Sequence, residues 1–339
     1  MKKNITLLLG FLMTTCFAAS AQDVKALQET ARNFVKDGDF SNAVMVLNKA
    51  HEQEPNNLSV SKDLALVYFQ KADYPKMQVV MKPLLEREDA DVDTYQLGGM
   101  LYKALNDPKE CEKVYKKALK TFPDSGPLLC DYGEFLWAKQ DYSAIKQWEH
   151  GIQTNPSYTG NYYNAAKYYY FTRDKAWSLI YGEMFVNMES YSRRTAEIKS
   201  LLLEGYKKLY TDADIMKNQD SKNEFVVAFL TAMNRQAELA KKGITTETLT
   251  MIRTRFILDW FDKDGTKFPF KLFDYQKQLL KEGSFNAYNQ WLFGSAQNLA
   301  AFENWTNTHS TEYKQFTTAQ SARLFKLPAG QYYQSGTRY

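Results

Sequence analysis

Histidines, cysteines and carboxylates are the side chains of this 339-residue chain that could do chemistry, so their spacing comes first. His51, His150 and His309 are widely separated and show no ligand spacing. His51-Glu52 opens like the H-E-x-x-H of zinc proteases, but Pro55 stands where the second histidine belongs. Asp262-Lys263-Asp264-Gly265-Thr266 has the outline of a calcium loop. Trp260 takes the place of its first acid, however, and Lys271 that of the closing bidentate glutamate, so a plain turn is expected. No G-x-x-x-x-G-K-[ST] phosphate loop and no G-x-S-x-G nucleophile elbow is present. The carboxylates are many, but acid–base catalysis needs a geometry that spacing does not supply. These observations assign no catalytic residue, no metal ligand and no cofactor.

The ends of the chain set the expected compartment. Lys2 and Lys3, an apolar stretch from Ile5 to about Phe17, and Ala19-Ser20-Ala21 make the three parts of a secretory signal peptide over residues 1–21. Cys16 lacks a lipobox ahead of it, since Met13-Thr14-Thr15 precede it. The expectation is an exported protein, periplasmic in a bacterium with an outer membrane. Removing the signal takes Lys plus Arg from 43 to 41 against 39 Asp plus Glu, a mature charge of about +2. That balance does not favour nucleic acid, which calls for clustered positive charge. No other apolar run approaches membrane-spanning length.

The elements that must position any site follow a 34-residue period. Small residues recur at Ala31, Ala65, Gly99 and Gly133, and large apolar ones three residues on at Phe34, Tyr68, Tyr102 and Leu136. Phe40, Tyr74, Pro108 and Tyr142 keep the same step; Ala43, Met77 and Cys111 keep it too, then slip by one to Ala144. Pro55, Pro123 and Pro156 punctuate the units. Two amphipathic helices joined by a tight turn explain such a unit, and each pair must stack on the next to bury its apolar face. This register puts Cys111 and Cys130 at opposite ends of a helix, roughly 16 Å apart. A disulfide needs about 7 Å or less, so two free thiols are expected.

Gly38-Asp39-Phe40-Ser41-Asn42-Ala43 with Leu47, Ala50 and Pro55 resembles the tetratricopeptide repeat (TPR) signature, as does Tyr95-Gln96-Leu97-Gly98-Gly99 with Tyr102, Tyr115, Ala118 and Pro123. The resemblance implies an all-α helical-hairpin solenoid over residues 22–190. It has about five repeats, the second (Met77, Pro83) and the fifth (Ala165-Ala166, Tyr169, Ala176) degenerate, and the fourth with a turn one residue short. Residues 191–339 read as a helical C-terminal domain that could continue the solenoid. Helices are expected over about Arg193–Leu209, from a capping box at Ser221-Lys222-Asn223-Glu224 to a stop at Gly243, over Thr246–Phe261, and in a hairpin from Leu272 to Trp291. The hairpin's turn, Lys281-Glu282-Gly283-Ser284-Phe285, echoes the repeat turn. From Pro328 the chain reads as frayed and polar.

In TPR arrays the first helices of each pair line a groove that binds peptide segments, so the resemblance implies a non-enzymatic scaffold with a protein or peptide partner. By register Phe69, Met100, Trp137, Tyr163 and Tyr170 point into that groove, with Lys36, Lys62, Lys103 and Lys167 nearby. Such a lining suits an extended peptide with apolar and acidic groups. Gln28 stands where carboxylate-clamping TPR proteins carry lysine. The alternative for any of these rings is burial by the next unit or by the C-terminal helices. Two other functions stay open: envelope glycan binding, and an enzyme with an unrecognised site in residues 191–339.

Overall fold

A computed structural model describes residues 23–172, 174–211, 214–217, 219–328 and 330–334. The expected signal peptide lies outside the described residues. Among those residues every regular element is helical and no strand occurs. Their contacts form two compact units, one through Pro123 and one from Asp124 onward.

The first unit contains three helix pairs: α1 (23–36) with α2 (Phe40–Gln53), α3 (Leu58–Gln70) with α4 (Tyr74–Leu85), and α5 (Val92–Ala104) with α6 (Pro108–Thr121). The helices of the second and third pairs pack on each other, Val24 of α1 clusters with Ala50 of α2 and Val60 of α3, and α2 packs on α3 and α4 on α5, so the pairs pile up in sequence order. Asp39, Asp73 and Asp107 cap the second helices, each side chain accepting the backbone N–H three residues on. Pro83 lies inside α4 without ending it.

The second unit begins with α7 (Gly126–Ala138), α8 (Ala144–Thr154), α9 (Thr159–Phe171), α10 (Lys175–Met188) and α11 (Arg193–Leu209). From Thr159 to Arg193 is again 34 residues, and α11 packs on both α9 and α10, so stacking continues past residue 190. There follow α12 (Glu224–Asn234), the short α13 (Ala237–Ala240), α14 (Thr246–Lys263) and α15 (Lys271–Lys281). Next come α16 (Phe285–Asn289), a π-helical turn over Gln290–Gly294, α17 (Ser295–Gln297), α18 (Leu299–Thr308) and α19 (Ser310–Ala322).

The 34-residue step is written into the backbone. Gly38, Ala72, Asn106 and Gln140 all have φ between 52° and 76°. One residue later the N–H of Asp39, Asp73, Asp107 and Asp141 returns to the carbonyl of Phe34, Tyr68, Tyr102 and Leu136 at 2.8–2.9 Å. The expected hairpin around residue 283 repeats this turn, with Gly283 at φ 72° and the Ser284 N–H 2.9 Å from the Leu279 carbonyl. The fourth turn keeps its left-handed residue in step; what changes is α8, which starts at Ala144 after Asp141 accepts the Ser143 N–H. Small residues sit where helices meet: a Cβ on Gly99 would overlap the Tyr115 ring, and one on Gly133 the Trp148 indole.

Three local expectations need correction. The cap of α12 is Asn223, whose Oδ1 accepts the N–H of Phe225 and Val226, rather than Ser221. α12 ends at Asn234, well before Gly243, where the chain turns at φ 98° after α13. Among its described residues, 330–334, the terminal segment is packed rather than frayed. Tyr333 stacks on Phe225 with ring centroids 4.5 Å apart, the Asn223 amide donates to the Tyr333 carbonyl, and Gln334 is buried. Aromatic rings at Tyr332 and Tyr333 carry that segment into the core although its composition reads as polar.

Candidate functional site

In the first unit the open face of the first helices carries Phe69 and Met100, both half-buried, beside Leu66, which is 38% exposed. Leu66 and Met100 are 34 residues apart and hold the same position on successive helices, as do Phe69 and Lys103. The Phe69 ring leans on Tyr74 at 5.8 Å. Lys62 is engaged: its Nζ is 2.5 Å from Asp91 and 3.2 Å from Asp93 on α5. Lys103 is exposed and lies 5.8 Å from the Tyr115 ring centroid; Lys36 is exposed at the end of α1. Gln28 is buried and donates to Ser59 Oγ and Asp63 Oδ2.

In the second unit the remaining residues are half-buried and partnered. Trp137 meets Tyr142, Trp148 and Tyr168 edge to face or tilted, at 5.3–6.2 Å. The Tyr163 hydroxyl donates to Glu197 Oε2 at 2.6 Å and accepts from Lys167 Nζ at 3.0 Å; Lys167 also pairs with Glu197 at 2.8 Å. Tyr170 lies under Lys208 Nζ, 3.6 Å from the ring centroid. The second unit thus holds Tyr163, Lys167 and Glu197 together as one polar cluster between α9 and α11.

Sequence reasoning missed the interior of the second unit, where two carboxyl groups are buried. Glu149 on α8 accepts from Tyr169 Oη (2.8 Å), Tyr181 Oη (2.8 Å) and Tyr332 Oη (2.7 Å), while Gln334 donates to the Tyr169 oxygen. Burial pushes this carboxyl up to about 7, and the donated hydrogen bonds hold it from rising further. Glu183 on α10 pairs with Arg253 on α14 and accepts from Gln276 Nε2 (2.6 Å) on α15 and Tyr288 Oη (2.7 Å) on α16. Burial lowers the Arg253 guanidinium, but the adjoining Glu183 more than restores it, so it stays raised and charged. Asn289, Asn187 and Gln320 extend the network as far as α19. The available signal was a charge inside an apolar stripe: Arg253 falls among Leu249, Ile252, Phe256 and Ile257, all buried. Acceptors engaged in this way fix helix positions.

The other chemistry-bearing residues are dispersed. Cys111 and Cys130 are buried thiols that form no disulfide, and burial raises the Cys130 thiol far above its ordinary range. His51 is half-buried near Ser61 Oγ, His150 pairs with Asp124 at 3.0 Å on the surface, and His309 stacks on Trp305 at 4.5 Å. Among the described residues no cluster of three His, Cys, Asp or Glu side chains could hold a metal ion. Asp264 caps α14, and the loop behind it is a turn in which the Gly265 N–H returns to the Trp260 carbonyl at 2.7 Å.

No protein-family model matches the chain, and no curated protein matches it. Among solved structures it is similar to a thermophilic TPR protein of Thermus thermophilus, at 14% identity and a TM-score of 0.45, covering 53% of this chain and 99% of that one. It is also similar to a tetratricopeptide repeat protein of Parabacteroides merdae, at 16% identity and a TM-score of 0.44, covering 75% and 98%. On its own repeating turns and close helix approaches, the chain is, among the described residues, all-α, with helical hairpins that repeat every 34 residues followed by further helices.

Proposed function

We propose that this chain is a non-enzymatic scaffold, exported to the periplasm, that holds a peptide or protein partner on the open faces of its first helices. The observation that carries this reading is the Leu66, Phe69 and Met100 patch with Lys103 beside it. Apolar groups left partly in water at the same position of successive repeats offer contact area at low ordering cost, and a cation at the rim selects acidic segments. The amino-terminal pattern of a signal peptide supports export, and no described helix is long and apolar enough to cross a membrane.

The test is affinity capture of the exported protein with its envelope partners. Phe69→Ala combined with Met100→Ala should release them. Met45→Ala combined with Val79→Ala, which alters exposed side chains of the second helices α2 and α4, should not. Equal retention in both variants would reject the surface, and binding on a glycan array would replace the partner class. Cell fractionation that left the full-length chain in the cytoplasm would reject export.

A further inference from the structure

In the second unit a cleft of about 430 Å³ opens between the start of α11, with the residues just before it, and α17. Lys199 lies in its wall, with Nζ 3.5 Å from the ring centroid of the buried Trp291. Unlike Lys62, Lys167 and Lys207, each beside a carboxylate, Lys199 has no ion-pair partner among the described residues. The hydroxyls around it are mostly committed: Ser192 to Glu189, Thr195 to the Glu189 carbonyl, Ser200 to the Ala196 carbonyl and Tyr191 to the Thr317 carbonyl. Ser295, exposed on the opposite wall, donates to none of the described residues.

We propose that this cleft binds a carboxylate, with Lys199 as its counter-charge and Ser295 as a second donor. This deepens the partner-holding reading and rests on it only for the protein-borne case. An ammonium withdrawn from water needs compensation. Trp291 supplies part of it through its ring face, but only from one side. The other side opens on the cleft, where an anion completes the shell. One ammonium and one hydroxyl match a monoanion; a phosphate dianion calls for more cations than the cleft has.

Occupancy has a pH signature. Burial alone lowers the Lys199 amine to about 7, and no charged group faces it from α11, the π turn or α17. Tyr191 is the one other titratable group in the cleft wall. A bound anion favours the charged amine, so ligand and proton bind together. Affinity is therefore flat below pH 7 and falls about tenfold per pH unit above it.

The experiment is titration calorimetry of the full chain at pH 6 and pH 8.5 with two monoanionic probes: propionate, and an acetylated, amidated Gly-Glu-Gly peptide. Binding of either probe at pH 6, at least tenfold weaker at pH 8.5 and lost in Lys199→Gln, is the expected result. Lys199→Arg should bind with no pH dependence in this range, because guanidinium stays charged. Propionate alone binding identifies a small-molecule ligand, and the peptide alone a protein-borne carboxylate. Retained binding in Lys199→Gln, or no binding of either probe at pH 6, overturns the proposal. Neither result bears on the Phe69 and Met100 surface. Lys199→Gln removes a charge from a desolvated place, so its melting curve should confirm folding.

Discussion

At the residue scale, the turn positions of the repeat are not equally suited to their backbone. Gly38 adopts its positive φ without penalty, but Ala72 at 57° brings its Cβ against the following carbonyl. Ala72→Gly should therefore stabilise the first unit by about 0.5–1 kcal/mol, even after the added freedom of the unfolded chain is counted. Its urea midpoint is the measurement, and no gain would mean that the turn is relaxed as it stands. At Gly133 the sign reverses. The Trp148 indole occupies the space of a Cβ and donates to the Cys130 carbonyl at 3.2 Å, so Gly133→Ala must displace a buried ring. A loss of about 1–3 kcal/mol is expected in thermal unfolding. Gly133 was legible in the sequence, because small residues at a period of 34 translate directly into helix contacts; Ala72 was not, because its left-handed backbone leaves no mark on its residue type.

At the element scale, legibility ends where contacts become long-range. The helix over Arg193–Leu209 was readable from its apolar spacing, and the one expected over Thr246–Phe261 runs to Lys263, since such signals lie within one helix. What holds α14 against α10 was not, because Glu183 and Arg253 are 70 residues apart and their pairing depends on the fold. The same holds for the terminal segment, whose Tyr332 reaches Glu149 from 183 positions away. Two consequences follow. Arg253→Met leaves Glu183 buried without its counter-charge and should cost about 3–5 kcal/mol, whereas adding Glu183→Met should recover most of that loss. If the double variant is no better than the single one in chemical denaturation, the charge pair is not what fixes these helices. Ending the chain after Leu327 removes the Tyr333 stack and the Tyr332 hydrogen bond; it should lower stability by about 2–4 kcal/mol, read as a lower melting temperature. The first-helix surface is the intermediate case. The sequence placed Phe69 and Met100 on one face, but that Tyr163 and Lys167 are bound to Glu197 depends on α11 packing beside α9.

At the scale of the whole second unit, buried ionisable groups act together on stability. Glu149 and Asp174 are both raised to about 7 by burial, while Lys199 is lowered to about 7 by the same cause. For the two acids the folded state holds more protons than the unfolded one between about pH 4.5 and 7, so their contribution to stability falls as pH rises through that window. For the lysine the unfolded chain holds the extra proton between about pH 7 and 10, so stability rises with pH there. The opposed slopes give a stability minimum near neutral pH, where many proteins are most stable. Denaturant unfolding of the second unit at pH 5.5, 7 and 8.5 should trace that minimum. Glu149→Gln should make the acid limb shallower, leaving the Asp174 part, and Lys199→Gln should flatten the alkaline limb, each independently, because no charge interaction couples Glu149 and Lys199. A profile that peaks at pH 7 would show that these groups reach water in the folded state, and with it the burial that sets their protonation would be lost.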